Sequence, residues 1–213
     1  MSRTLFLASA TLIVGMTALP HPAAGETRSY PLTGFTGISV ASGVSVKLLE
    51  GPFSVTVDAD SKPIDEITLK VNKGILEINR KNHFSIVTSP RRDYVVTVRA
   101  PPLSSISAAS GSEINGAGLR MEDLTLVVSS GASIELTGTC SSLQATASSG
   151  AQLTGDKLAC RSVRTEASSG SEIVVRASEA ATASASSGAS IRIIGSPSRL
   201  NMSSSSGGSV TSG

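Results

Sequence analysis

A Ser-Gly step recurs six times in the C-terminal half of the sequence at an almost constant interval. Successive glycines are 20, 19, 20, 18 and 19 residues apart, and an aliphatic residue follows each glycine at the third position. A repeat of fixed length indicates one structural unit per copy, stacked on its neighbours. The six glycines are Gly111, Gly131, Gly150, Gly170, Gly188 and Gly207.

Apolar residues alternate with polar ones on both sides of each glycine. Around Gly131 the odd offsets hold Leu126, Val128, Ile134 and Leu136. The even offsets carry polar and charged residues, among them Thr125, Glu135, Gln152, Arg164, Glu166, Glu172, Arg176 and Arg192. Strict alternation predicts β-strands with one buried face and one solvent face.

A unit of about 19 residues is long enough for two short strands and two corners, so each copy makes one coil. We therefore predict an all-β fold, a right-handed parallel β-helix, whose regular coils span residues 101–213. The Ser-Gly steps fall at corners, where glycine adopts backbone angles that other residues resist. Stacked serines can hydrogen-bond along the axis there. A β-propeller blade of about 40 residues is the alternative, but the units resemble one another singly and not in pairs.

The two cysteines test the register of this stack. Cys140 and Cys160 each lie ten residues before a corner glycine, Gly150 and Gly170. Equivalent positions in successive coils are separated by one strand spacing, which a disulfide can bridge. We predict a structural disulfide between them.

The N-terminal part is β-rich and less regular. Alternation around Gly43 follows the same odd-offset pattern, and longer loops interrupt the strands at residues 58–64 and 81–92. We expect residues 26–100 to form larger, irregular coils that begin the same stack, so that residues 26–213 are one continuous domain. All aromatic residues after the first 25 precede residue 95 and would cap this end, namely Tyr30, Phe35, Phe53, Phe84 and Tyr94.

Residues 1–25 have the pattern of a secretory signal peptide. Arg3 precedes an apolar run from Leu5 to Leu19, and a segment rich in proline and small residues follows up to Gly25. The run is too short, and too sharply ended by proline, for a good membrane span. We expect cleavage after Gly25, no transmembrane segment in the mature chain, and a periplasmic or cell-surface location. An oxidising compartment of this kind favours the disulfide.

Charge gives no indication of a nucleic-acid or anionic-membrane partner. The sequence has 18 basic and 16 acidic side chains, and Asp93 follows the adjacent basic pair Arg91-Arg92 directly. Both kinds of partner require clustered lysine and arginine. We expect neither.

The layout of motifs resembles the bacterial auto-transporter adhesin head GIN domain family. The resemblance covers residues 33–210 and rests on the opening segment 35–40, the segment 74–78, the strand end 96–101 and the recurring Ser-Gly-x-x-Ile units. It implies a β-helical envelope protein without an established activity. The family provides no catalytic or binding residues that can be assigned to this chain.

The sequence contains no convincing catalytic, metal or cofactor site. His83 is the only histidine after residue 25, and nucleophilic catalysis needs a base beside the nucleophile. Together with the two cysteines, His83 also provides fewer than the four ligands that a zinc site usually has. Glu113 and Glu172 share an offset, but three coils separate them and Ser133 and Gln152 fill the positions between.

Four acidic residues, Asp58, Asp60, Asp65 and Glu66, lie close together in the sequence. They could hold a cation weakly, although a solvated loop is the simpler interpretation. We therefore predict no metal ion and no cofactor.

Three functions remain for a chain of this kind. The first is a non-enzymatic, adhesin-like module that binds a surface, a polymer or another copy of itself through many weak contacts. The second is a β-helical polysaccharide lyase or hydrolase, which needs clustered carboxylates. The third, an ice-binding ladder, needs threonines at one offset, and Thr125, Thr165 and Thr182 do not share one.

Overall fold

The computed structural model describes residues 25–59, 64–81 and 94–213. Fifteen β-strands and one short 3₁₀ turn, Ile64–Glu66, make up the described chain. The strands are β1 Glu26–Tyr30, β2 Gly37–Val40, β3 Ser45–Glu50, β4 Ser54–Ala59, β5 Ile67–Asn72, β6 Ile75–Arg80, β7 Tyr94–Ala100, β8 Ser105–Ala108, β9 Glu113–Val128, β10 Ser133–Ala147, β11 Gln152–Ala167, β12 Glu172–Ala185, β13 Ser190–Ile194, β14 Arg199–Ser204 and β15 Ser209–Ser212.

Parallel coils stack throughout the regular part, which confirms the predicted parallel β-helix. The segments that follow the Ser-Gly corners lie in one ladder together with β1, β4 and β7, in the order β1-β4-β7-β3-β9-β10-β11-β12-β13-β15. Segments that precede each corner form a second ladder, in the order β5-β6-β2-β8-β9-β10-β11-β12-β14. We call these the post-corner and pre-corner ladders. Strands β9 to β12 belong to both because each of them continues from one coil side to the next.

Each Ser-Gly corner is a tight turn in which both residues have positive φ. Ser149 and Gly150, for instance, have φ values of 55° and 68°. The amide of Ala151 donates to the Ser148 carbonyl at 3.2 Å, which closes the turn. Two consecutive positive φ angles characterise a type I′ turn, whose twist matches that of the flanking strands. The sequence pattern predicts this conformation for the glycine alone, whereas the structure shows it for the preceding serine as well.

Backbone hydrogen bonds also join the corners of neighbouring coils. The Gly150 amide donates to the Ser169 carbonyl at 3.0 Å, and the same contact repeats at each level of the stack. The expected axial bonding at the corners is therefore made by serine carbonyls. The coil-to-coil ladder continues around the turn, so each corner stabilises the stack as a strand does.

Each coil bends a second time between its post-corner segment and its pre-corner segment. The sequence predicts a corner between two short strands there, and the structure differs. β9 to β12 run through it without a break and are 14 to 16 residues long. Register shifts occur only here, for example between Leu136 and Gly138 where β10 pairs with β9. The variation in repeat length is thus absorbed by bulges at this bend, while the Ser-Gly corners stay in register.

The N-terminal coils do not stack in the order of the chain. β2 pairs with β6 on one side and β8 on the other, and β3 lies in the same way between β7 and β9. The first coil of the chain, β2–β3, is therefore inserted between the β6–β7 coil and the β8–β9 coil.

Three strands of residues 26–100 are antiparallel and do not form coils, which differs from the expectation for this region. β4 pairs with β7, β1 pairs with β4, and β5 pairs with β6 in a hairpin. Lys73 and Gly74 make the hairpin turn with φ values of 48° and 77°. These strands cover the N-terminal end of both ladders.

The odd-offset side chains form a continuous core between the ladders. Leu124, Leu126 and Val128 are buried, and the corresponding positions of the following coils are buried with them. Phe35 packs edge-on against Phe53 at the N-terminal end, with ring centroids 4.8 Å apart. Leu200 and Met202 occupy the same columns in the last coil, yet they are 41% and 43% exposed because no strand of the described residues pairs with β14 on its outer side.

Candidate functional site

Two outward faces of the stack are the main candidates for interaction. The hydroxyl face consists of the outward side chains of the pre-corner ladder, four and six residues before each corner glycine. Its first column is Ser39, Ser107, Val127, Thr146, Glu166, Ser184 and Ser203. Its second column is Gly37, Ser105, Thr125, Gln144, Arg164, Thr182 and Asn201.

Hydroxyl and amide groups dominate this face, and its two charged residues compensate each other. The guanidinium of Arg164 lies 3.9 Å from the carboxylate of Glu166. Exposed pairs of this kind contribute little to stability. Val127 is 43% exposed in the middle of the face. The result is a nearly neutral surface with evenly spaced hydrogen-bonding groups.

The charged face is the corresponding surface of the post-corner ladder. Its first column is Ser45, Glu113, Ser133, Gln152, Glu172, Ser190 and Ser209. Its second column is Lys47, Asn115, Glu135, Thr154, Val174, Arg192 and Thr211. Acidic and basic residues are mixed along it. Ser133 and Gln152 separate Glu113 from Glu172 in the register, as the sequence analysis expected.

The N-terminal carboxylates are each held by a different partner. Asp58 accepts a hydrogen bond from Thr27 at 2.6 Å, and Asp65 pairs with Arg28 at 2.6 Å. The Arg28 pKa is raised by its hydrogen bonds to Asp65 and then to Glu26. Within the described ranges no three metal-binding side chains come together. Asp60, His83 and the Arg91-Arg92 pair lie outside the described residues.

Glu66 has two partners of its own at this end of the chain. It accepts a hydrogen bond from the Tyr94 hydroxyl at 2.9 Å, and Arg80 lies 3.7 Å from its carboxylate. Asp58, Asp65 and Glu66 therefore each contact a neighbouring segment of the N-terminal region.

The three threonines considered for an ice-binding ladder occupy different environments. Thr125 and Thr182 lie on the hydroxyl face in one column, separated by Gln144 and Arg164. Thr165 is buried and faces the core. They form no ladder.

A notch interrupts the hydroxyl face at β2. Its volume is about 440 Å³, and Ser39, Ser105, Ser107, Ile75 and Glu77 are among its lining residues. Gly37 and the serines are small, whereas Ile75 and Glu77 on β6 are longer. We call this depression the β2 notch. No local sequence pattern predicts this notch, because β6 and β2 are neighbours only through the out-of-order stacking of the coils.

A second depression, of about 360 Å³, lies on the charged face between β3 and β10. Its lining residues include Leu49, Gly116, Ala117, Lys47 and Glu135. The ends of the Leu119 and Leu136 side chains lie so close to Gly116 that they would have to shift to admit a Cβ there.

The ion pair between Glu50 and Arg120 joins β3 to the second bend of β9. The Glu50 carboxylate accepts hydrogen bonds from the Arg120 backbone amide at 2.9 Å and from its guanidinium at 2.8 Å and 3.1 Å. Hydrogen bonding by the Arg120 side chain lowers the pKa of Glu50 below its ordinary value. Seventy residues of sequence separate the two partners, so this pair fixes the inserted coil to the regular stack.

Cys140 and Cys160 form a disulfide in the column where the register predicted it. Their Cα atoms are 4.5 Å apart. Both cysteines are buried. Their side chains lie on the core side, so this bond is a structural cross-link between neighbouring coils.

No helix in the part of the chain that the structure describes has the length and apolarity of a membrane span. A search of curated protein sequences finds no significant match. The family model described as "Putative auto-transporter adhesin, head GIN domain" matches residues 34–197.

Solved bacterial structures share the fold at low sequence identity. A putative adhesin from Bacteroides fragilis has a TM-score of 0.67 and 16% identity, with 89% of this chain and 97% of that chain covered. A putative lipid binding protein from Parabacteroides distasonis has a TM-score of 0.51 and 17% identity, with coverages of 90% and 97%. A putative adhesin from Parabacteroides merdae has a TM-score of 0.50 and 12% identity, with the same coverages. These likenesses concern the fold alone.

Proposed function

Because this chain belongs to the auto-transporter adhesin head GIN domain family, we propose that it is an exported envelope protein that adheres to a surface polymer without catalysing a reaction. The signal peptide predicted for residues 1–25 would direct it across the inner membrane. The periplasm and the cell surface are both compatible with this function.

One observation carries the proposal, the strict register of the hydroxyl face. Thr146 lies opposite Val127 and Glu166, and Ser184 lies opposite Glu166 and Ser203, with one residue per coil. Successive coils repeat at about 4.8 Å. Such a surface offers a polymer many weak contacts at equal spacing, and weak contacts in series give strong retention without any deep pocket.

Self-association would increase the number of contacts. β14 and β15 end the two ladders, and Leu200 and Met202 are exposed at this end. An open strand edge with exposed apolar side chains favours pairing with another chain. The antiparallel strands at the opposite end form a different kind of edge, so we propose that two copies pair through their β14–β15 ends.

A binding comparison tests the adhesive function. Purified residues 26–213, displayed at high density on beads, should be retained on isolated bacterial envelopes, whereas the monovalent protein should bind weakly. A Thr146→Lys/Ser184→Lys variant should lose about tenfold or more in bead retention because long charged side chains replace two hydrogen-bonding hydroxyl groups of the hydroxyl face. Thr154→Lys/Ser190→Lys, on the charged face, is the matched control and should retain binding. Equal retention of both variants would contradict the proposal.

The enzymatic alternative is tested separately with the same protein. Acidic polysaccharides incubated with the chain and added calcium should show no new reducing ends and no unsaturated products. If the wild-type protein cleaves a polysaccharide and an Asp58→Asn variant does not, the function is polysaccharide cleavage and not adhesion.

A further inference from the structure

We propose that the β2 notch is a binding site for one or two residues of a neutral oligosaccharide. The inference rests on the adhesive function proposed above and deepens it by naming a ligand class and a site. Four features of the notch carry it: its size, its hydrogen-bonding groups, its charge and its fixed backbone.

The size of the notch follows from side-chain volumes on three neighbouring strands. Gly37 lies between Ile75 and Ser105 in one column, and Ser39 lies between Glu77 and Ser107 in the other. The Ile75 side chain lies over Gly37, and the small side chains of Ser39, Ser105 and Ser107 line the notch beside the longer side chains of β6. On the far side, the next positions of the columns are Thr125 and Val127, which are larger and exposed. The resulting volume of about 440 Å³ falls within the range of about 300–1,000 Å³ found for small-molecule sites.

The lining of the notch combines donors and acceptors at short intervals. Glu77 offers carboxylate oxygens, Asn72 and Asn79 offer amides, and Ser39 and Ser107 offer hydroxyls. Sugar hydroxyls both donate and accept hydrogen bonds, so this mixture suits them better than a ligand with only one kind of group. Ile75 adds an apolar surface against which the C–H side of a pyranose ring can pack.

The charges of the notch indicate a neutral ligand. Lys73 and Glu77 are the charged side chains among its lining residues, one of each sign. Lys73 would attract an anionic polymer and Glu77 would repel it, and the two electrostatic energies would nearly cancel. A neutral saccharide avoids this conflict and can use the carboxylate as an acceptor in charge-assisted hydrogen bonds.

The hydrogen-bonding groups are held in place before any ligand binds. The Asn72 amide donates to the Glu77 carboxylate at 3.1 Å across the β5–β6 hairpin. The Lys73-Gly74 turn and the parallel pairing of β2 with both neighbours fix the backbone around them. Less conformational entropy is therefore lost on binding. The notch is open to solvent on one side, so each site is weak and relies on multivalency.

The test uses a printed array of neutral hexose and N-acetylhexosamine oligosaccharides, three to six residues long, together with their acidic counterparts. The wild-type protein on beads should bind at least one neutral oligosaccharide, and the same compound should then be titrated against the soluble protein by calorimetry. Asn79→Ala removes a hydrogen-bonding group, and Ser107→Leu fills the notch. Each should weaken affinity about tenfold or more.

Thr154→Leu is the matched control for Ser107→Leu. It places the same side chain on an outward position of the charged face, outside the notch, and should leave affinity unchanged. The column of Thr154 already holds Val174 and the column of Ser107 already holds Val127, so both variants should fold, which circular dichroism and thermal melting can verify.

Three results would overturn the inference. One is retention on envelopes without binding to any neutral oligosaccharide, which would leave the adhesive function intact. Another is unchanged affinity in both Asn79→Ala and Ser107→Leu. The third is a preference for the acidic oligosaccharides. Absence of binding to both the array and the envelopes would remove the adhesive function together with this site.

Discussion

Cys140 lies directly opposite Cys160 on neighbouring parallel strands, and their Cα atoms are 4.5 Å apart. Met121 and Ala177 continue the same column in the coils on either side. The disulfide therefore replaces an ordinary core contact at the second bend, next to the positions where the register shifts. It ties two coils together where the backbone ladder is least regular.

Reduction of this disulfide should destabilise the protein without changing its fold. A loop of 20 residues corresponds to about 3 kcal/mol in the free energy of unfolding if the bond acts mainly on the unfolded chain. Urea unfolding with and without reductant measures this difference. A Cys140→Ala/Cys160→Ala variant is the control, because alanine already occupies the column at Ala177. Its stability should not respond to reductant, and an equal midpoint for the reduced and oxidised wild type would contradict the prediction.

Glycine should be required for different reasons at two positions of the coil. At Gly150 a Cβ would meet no atom within 4 Å, but φ is 68°, so Gly150→Ala should cost about 1–2 kcal/mol in unfolding free energy through backbone strain alone. At Gly138 a Cβ would collide with the Leu119 backbone, and the loss should be larger, about 3 kcal/mol. Thermal or urea unfolding of both variants checks the order. The reverse order would show that the second bend can relax around a side chain.

The Glu50–Arg120 pair should make stability depend on pH. Arg120 lowers the folded-state pKa of Glu50 below the ordinary 4.5, so the contribution is present above that value and is lost as pH falls through the lower, folded-state pKa. Glu50→Gln should therefore destabilise the protein at pH about 7 and much less at pH about 3. Urea unfolding of both proteins at the two pH values measures this. A constant difference between them would mean that the pair contributes nothing.

The open C-terminal end should drive association in solution. Leu200 and Met202 are exposed on the last strand of the pre-corner ladder, and Leu200→Asn/Met202→Asn should abolish any dimer that the wild type forms. Light scattering over a range of concentrations gives the mass. Leu32→Asn, a substitution of a partly buried residue at the other end of the molecule, is the control and should leave the dimer intact. A wild type that is monomeric at every concentration would contradict the prediction.

The regular half of the fold could be predicted from the sequence because its signals are local and repeated. Alternation about Gly131 identifies the inward side chains, and Leu126 and Ile134 are buried as it requires. Equal offsets from the corner glycine give the pairing of Cys140 with Cys160. The serine before each glycine was missed, since serine rarely adopts positive φ and only its repetition at Ser130, Ser149 and the equivalent positions indicates that conformation.

The N-terminal half could not be predicted in the same way. Alternation in β4 and β5 indicates strands, but it does not distinguish parallel from antiparallel pairing. The insertion of β2 and β3 between later coils depends on contacts across long stretches of chain, such as Glu50 with Arg120. The β2 notch is a consequence of that insertion and has no local signature.

The sequence by itself determined the strand period, the inward face, the corners and the coil-to-coil register, because each depends on residues within one repeat or at equal positions in the next. Only the tertiary structure decided which coils are neighbours at the N-terminal end, where the antiparallel strands cover the stack, and where the hydroxyl face opens into a notch. These features arise from packing between distant segments, whose free energy depends on the whole set of contacts and not on any local pattern.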